Sequence, residues 1–209
     1  MSVTANELVD AASVIPVLAV GELEKAAPLA HALKAGGLRV IEMTMRTPVA
    51  LEVMQAMKAA EPELIVGMGT IRTPADVEAA VAAGADFLVS PGLTPVLAEA
   101  LIGCGVLSLP GVATAGEAMA ASEKGFELLK FFPAEQAGGM EYLKSLRGPL
   151  PDLRFCPTGS ITREKAPDYL ALPNVVCVGG SWIASGPMIA ASDWDAIEEN
   201  ARFAAEMKP

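Results

Sequence analysis

In the stretch GFELLKFFPAEQAGG, residues 125–139, a single lysine, Lys130, stands between Leu128-Leu129 and Phe131-Phe132, and Pro133 closes the run. An apolar run bounded by a glycine and a proline has the composition of a buried strand, and an ammonium inside it is costly unless it is paired or neutralised. Two uses would justify it. A structural one is a lysine that snorkels at a strand end or closes an ion pair. A chemical one is an amine desolvated so that its neutral form attacks a carbonyl carbon. RVIEMTMRT, residues 39–47, supplies groups that such an amine would work with. The period of two along a strand puts Val40, Glu42, Thr44 and Arg46 on one side and Ile41, Met43 and Met45 on an apolar side. The same rule groups Leu128, Lys130 and Phe132 and leaves Leu129 and Phe131 for the opposite side. Where both polar sides face one enclosed space, a nucleophile, a proton carrier and an anchor for a carboxylate come together.

The elements that must deliver these groups repeat. Short β-type runs begin near Val14, Arg39, Leu64, Phe87, Leu107, Leu128, Arg154 and Val175, at steps of 20 to 26 residues. Between them lie stretches such as ELEKAAPLAHALKAGG, PVALEVMQAMKAAEP and TPADVEAAVAAG, rich in good helix formers and commonly ended by glycine. Eight strand-helix units predict an α/β fold, a closed (β/α)8 TIM barrel, as one domain over residues 1–209. TANELVDAA reads as an extra N-terminal helix and DWDAIEENARFAAEMK as the last outer one. An open doubly wound sheet is the alternative, but no GxGxxG opens the first unit. In a barrel, reacting groups gather at the carboxyl ends of the strands, which here finish in GMGT, SPG, CPTGS and VGGSW. Gly159-Ser160 and Gly179-Gly180-Ser181 follow the last two strands, where backbone N–H groups can hold a phosphate without a lysine. Arg39 and Arg154 stand at strand beginnings and read as structural.

Composition removes other classes. A net charge of −10, from 15 Lys and Arg against 25 Asp and Glu, with no basic run, argues against nucleic acid or an anionic membrane as partner. Hydrophobic residues make up 52% and mean hydropathy is +0.42, yet no apolar stretch approaches the ~18 residues of a membrane span. The start of the chain has no basic segment and carries Glu7 and Asp10 before its first apolar run, so no export and a cytoplasmic setting are expected. Cys104, Cys156 and Cys177 form no CxxC pair and read as reduced thiols, the last two as small buried hydrophobes. His31, the one histidine, lies in a helical stretch, which makes a zinc hydrolase or a Ser-His-Asp triad a poor fit.

EMTMRT (42–47), SPGLT (90–94), LKFFPAE (129–135), RFCPTG (154–159) and GGSW (179–182), in that order, resemble the family of 2-keto-3-deoxy-6-phosphogluconate (KDPG) and 4-hydroxy-2-oxoglutarate aldolases over essentially the whole chain. The resemblance implies a homotrimeric class I aldolase of the Entner-Doudoroff pathway, without metal or other cofactor, that releases pyruvate and glyceraldehyde 3-phosphate. It implies that Lys130 is the Schiff-base lysine and Glu42 the acid/base carboxylate. Arg46 and Thr70 would hold the pyruvate carboxylate, and Pro91, Phe132 and Thr158 would surround the bound keto acid. Gly159, Gly180 and Ser181 would form its phosphate end. The chain departs from the pattern at Ser160, where a second glycine is common, and at Met68, where alanine is. Open alternatives are an aldolase for the galactonate epimer, a phosphate-binding isomerase or epimerase with Glu42 as base, and a non-catalytic barrel in which Lys130 and Glu42 are only an ion pair.

Overall fold

Threonine recurs where helices begin, and its hydroxyl explains why they begin there. The side chains of Thr4, Thr73, Thr94 and Thr114 each accept the backbone N–H three residues on, and Glu7, Asp76 and Glu117 return the bond to three of the caps. The computed structural model describes residues 3–207, so Lys208, the end of the expected last helix, and the first two residues lie outside it. Helix α1 (Ala5–Ala11) is followed by β1 (Val14–Leu18), a short 3-10 turn at Leu23–Lys25, α2 (Ala26–Ala35) and β2 (Val40–Thr44). Next come α3 (Ala50–Ala60), β3 (Ile65–Gly69), α4 (Pro74–Ala82), β4 (Phe87–Val89) and α5 (Pro95–Gly103). The fifth strand position is split into β5 (Leu107–Leu109) and β6 (Gly111–Val112), after which come α6 (Ala115–Glu123) and β7 (Leu128–Phe131). The chain continues through α7 (Gly139–Arg147), β8 (Arg154–Pro157), α8 (Ala166–Leu170), β9 (Val178–Gly180), α9 (Gly186–Ala191) and α10 (Trp194–Ala205).

All strand pairs are parallel, as the alternation with helices requires. They form a six-stranded sheet in the order β5-β4-β3-β2-β1-β9 and a three-stranded sheet β6-β7-β8. Two seams connect the sheets. At one, Lys130 N donates to Pro110 O at 2.9 Å; at the other, single parallel bridges join Phe155 to Val175 and Thr158 to Gly179. Two expected strands therefore differ in detail. The run from Leu107 is broken at Pro110, which has no N–H to give the ladder. The last strand begins at Val178 rather than Val175, which makes only an isolated bridge.

Burial divides by the parity read from sequence. Ile41, Met43, Leu129 and Phe131 belong to the large core beneath the helices, with Met45 packed at its margin. Ile15, Val40, Phe87, Leu128, Cys156 and Cys177 form a smaller cluster on the other side of the strands, joined by Ala5, Leu8 and Ala12 from α1 and the turn after it. Helix α1 thus covers the amino ends of the strands. Arg154 Nη1 donates to Asn6 Oδ1 at 2.8 Å and Arg154 also pairs with Glu127, the structural role expected of it. His31 is exposed on α2 and faces Glu61 at 2.5 Å. Among the described residues no helix is long and apolar enough to cross a membrane.

Candidate active site

Lys130 is the third residue of β7 and Glu42 the third of β2, and both side chains point away from the helices. Lys130 Nζ donates to Glu42 Oε1 at 3.1 Å and to Oε2 at 3.4 Å, with both side chains 5% exposed. The Phe132 ring, half-buried, stands over the amine with its centroid 5.4 Å from Nζ. A low-dielectric setting strengthens this attraction, and the proximity of the two groups allows a proton to pass between them. Gly69 makes the carboxylate's position possible, since a Cβ there would stand 2.1 Å from Glu42 Oε1. In the sequence GMGT marks only the end of a strand, and nothing in it shows that Gly69 makes room for a carboxylate. Cys156 is the register partner of Lys130, and the hydrogen bond that the Cys177 thiol shares with Cys156, then burial, pushes the Cys177 thiol well up. The Cys177 thiol is therefore no ready nucleophile.

Arg46 reaches the mouth by a different route from the expected one. β2 ends at Thr44, whose hydroxyl donates to Leu18 O at 2.7 Å, and Arg46 N turns back to Thr44 O at 2.8 Å. Strand parity therefore stops short of Arg46, which is exposed in the turn rather than inward on the strand. Its Nε donates to Thr70 Oγ1 at 3.1 Å. Thr70 adopts φ 64°, a left-handed conformation that costs a threonine roughly 1–2 kcal/mol and aims its hydroxyl at the guanidinium. Among the described residues Arg46 has no carboxylate partner, so it is available to an anion. Met68 is fully buried in the helix-side core, so its departure from the family pattern leaves the mouth unlined by it.

Pro91 is exposed at the end of β4, its backbone packed on Gly111. Thr158 is 6% exposed at the end of β8, and a Cβ on Gly179 would stand 2.3 Å from its hydroxyl oxygen, so the glycine gives the threonine its place. Gly159 (φ 113°) and Ser160 (φ 58°) turn the chain left-handed after β8. Gly180 ends β9 and Ser181 is exposed beside it. Among the described residues the N–H groups of Ser160 and Ser181 have no acceptor. Behind the rim Glu135 accepts Tyr169 OH at 2.5 Å and pairs with Lys165. Lys165 and then Tyr169 hold the Glu135 carboxyl below its usual range, whereas burial first and Glu135 second push the Tyr169 phenol up. Sequence reading singled out none of these three; only the acid next to FPA hinted at a tether. Among the described residues no three His, Cys, Asp or Glu side chains gather as metal ligands.

Residues 5–200 match the aldolase family described as KDPG and KHG aldolase. The chain belongs to that family. The 2-dehydro-3-deoxy-phosphogluconate aldolase of Pseudoalteromonas atlantica is 42% identical over 97% of this chain and 94% of its own length. The KHG/KDPG aldolase of Escherichia coli is 42% identical over 97% of this chain and 95% of its own. A crystal structure of the Legionella pneumophila KDPG aldolase, with pyruvate captured at low pH as a covalent carbinolamine intermediate, superposes with a TM-score of 0.94. It is 42% identical and the match covers 97% of this chain and 98% of that one.

Proposed function

We propose that the protein is a class I aldolase that cleaves 2-keto-3-deoxy-6-phosphogluconate to pyruvate and glyceraldehyde 3-phosphate, and also accepts 4-hydroxy-2-oxoglutarate. The observation that carries this reading is the buried Lys130–Glu42 contact at the carboxyl ends of their strands, 3.1 Å long. Passing a proton from Lys130 to Glu42 yields a free amine and a carboxylic acid, the two forms that the first step needs. The amine adds to the C2 ketone, and Glu42 protonates the departing hydroxyl, so that water leaves and a protonated imine remains. The Glu42 carboxylate then removes the C4 hydroxyl proton, and the C3–C4 bonding pair flows into the iminium as the aldehyde departs. C3 of the enamine is reprotonated, and hydrolysis of the imine frees pyruvate and returns the lysine.

Arg46 and Thr70, already bonded to each other, would fix the substrate carboxylate and so align the breaking bond with the imine plane. Phe132 and Pro91 would wall the keto acid and Thr158 would offer its hydroxyl to it. The unpaired amides of Ser160 and Ser181, with Gly159, Gly179 and Gly180 keeping the backbone open, would receive the phosphate at the far end. We read the two sheets as one closed (β/α)8 barrel spanning a single domain, supported by the seams at Pro110 and at Phe155–Val175 and Thr158–Gly179. A cytoplasmic homotrimer fits the free cysteines and the exposed apolar side chains of Val96, Ile102 and Met119.

Pyruvate release from KDPG and from its galactonate epimer, followed with a pyruvate-specific coupled assay, tests the reading. Preferential cleavage of KDPG is expected. Release from neither substrate would move the protein to the isomerase or binding-protein class.

A further inference from the structure

Ser160 is exposed and holds a left-handed φ of 58°, at a cost of about 1–2 kcal/mol that a glycine would avoid. Its one side-chain contact among the described residues is with Gln136, whose Nε2 donates to Ser160 Oγ at 3.0 Å. Gln136 comes from the other loop, the turn between β7 and α7. The two loops are stitched by Ala134 N donating to Thr158 O at 2.8 Å and Glu135 N to Gly159 O at 3.4 Å. The residue before Gln136 is anchored through its side chain to Lys165 and to the fully buried Tyr169. The carboxamide therefore stands on a fixed base, exposed at the rim that the mechanism leaves for phosphate.

A serine hydroxyl has one proton to give and two lone pairs to receive with. When Gln136 fills a lone pair, the hydroxyl proton is released to donate elsewhere, and the donor bond received makes it a stronger donor. We propose that Gln136 is a positioning residue: by donating to Ser160 it turns that hydroxyl into a directed donor to the phosphate of the substrate, beside the free N–H of Ser160. The proposal rests on the phosphate reading above and adds to it a residue outside the substrate contacts. The class of ligand it selects is a phosphomonoester at the end of a short keto acid, against the same keto acid ending in a carboxylate closer to the lysine.

The test uses Gln136→Met, which keeps length and removes the donor, Ser160→Ala, and the double variant. Each single change is expected to raise KM for the phosphorylated substrate roughly five- to tenfold with kcat near that of the unchanged protein. The double variant should be no worse than Ser160→Ala alone, because without the hydroxyl Gln136 has nothing left to direct. For 4-hydroxy-2-oxoglutarate the change caused by Gln136→Met should be clearly smaller. Binding of glycerol 3-phosphate, measured by calorimetry, should weaken in parallel, which gives a readout free of aldol chemistry. Losses that multiply in the double variant, equal losses on both substrates, or a fall in kcat at constant KM would each overturn the proposal while leaving the aldolase reading in place. If the unchanged protein neither cleaves KDPG nor binds glycerol 3-phosphate, the phosphate reading falls and this inference with it.

Discussion

The two ends of the candidate site are built on opposite physical terms. At the lysine end, Lys130 and Glu42 are 5% exposed, are carried on β7 and β2, and hold each other by charge. At the rim after β8 and β9, Ser160 and Ser181 are exposed and carried on loops, and among the described residues their backbone N–H groups have no acceptor and their hydroxyls accept from no cation. A covalent step needs one nucleophile kept dry and in a fixed position against its acid, which two strands from different sheets provide by pointing their side chains at each other. Holding a phosphate needs several donors converging on one point, which turns provide without adding charge that would also attract other anions. Damage to the first end should therefore abolish chemistry on any substrate, and damage to the second should change which substrate is preferred.

The largest effect is expected at Lys130. Lys130→Arg keeps a cation against Glu42 but removes the amine that forms an imine, and cleavage of both phosphorylated and non-phosphorylated substrates should fall to background. Lys130→Met should be equally inactive and in addition less stable by about 3–5 kcal/mol, because it strands the buried Glu42 carboxylate. Thermal unfolding of the pair separates lost chemistry from lost fold. Glu42→Gln comes next: pyruvate should still bind, while turnover drops by roughly 10² to 10⁴ on both substrates. Single-turnover kinetics would show it, and a near-normal rate would hand the proton work to another group.

At the rim the expected loss is smaller and selective. Ser181→Asp sets a carboxylate against the incoming phosphate, and kcat/KM for KDPG should fall by roughly a hundredfold while 4-hydroxy-2-oxoglutarate, which is too short to reach this loop, loses much less. Equal losses would erase the distinction between the two ends. The smallest effect concerns the support beneath the rim. Glu135 is held below its ordinary value of 4.5 by Lys165 and Tyr169, so it adds stability at neutral pH that is lost as pH falls through that depressed value. Glu135→Gln should lower the denaturation midpoint at neutral pH, and the difference from the unchanged protein should shrink as the pH falls below 4.5 and through the depressed value.

What was legible in the sequence follows the same division. Strand parity placed Glu42 and Lys130 on one side and Ile41, Met43, Leu129 and Phe131 on the other, because the alternation of side chains is a property of any strand. It failed at Arg46, two residues past the end of β2, where a turn rather than the pleat sets direction. The split at Pro110 was visible as a proline, but its consequence, a carbonyl that receives the Lys130 N–H, depends on a neighbour distant in the chain. Glu135, Gln136, Lys165 and Tyr169 escaped notice because contacts between two loops follow no period. Gly69 carries no signal of its role, since a glycine that makes room for a side chain from the neighbouring strand looks the same in sequence as one that makes a turn.

Incubation of the protein with pyruvate and borohydride, followed by proteolysis and mass spectrometry, tests most directly whether Lys130 is the residue that bonds to the keto acid. One reduced pyruvyl adduct is expected, carried by the peptide containing Lys130 and missing from Lys130→Arg. An adduct on another lysine, or none from a protein that still cleaves KDPG, would contradict it.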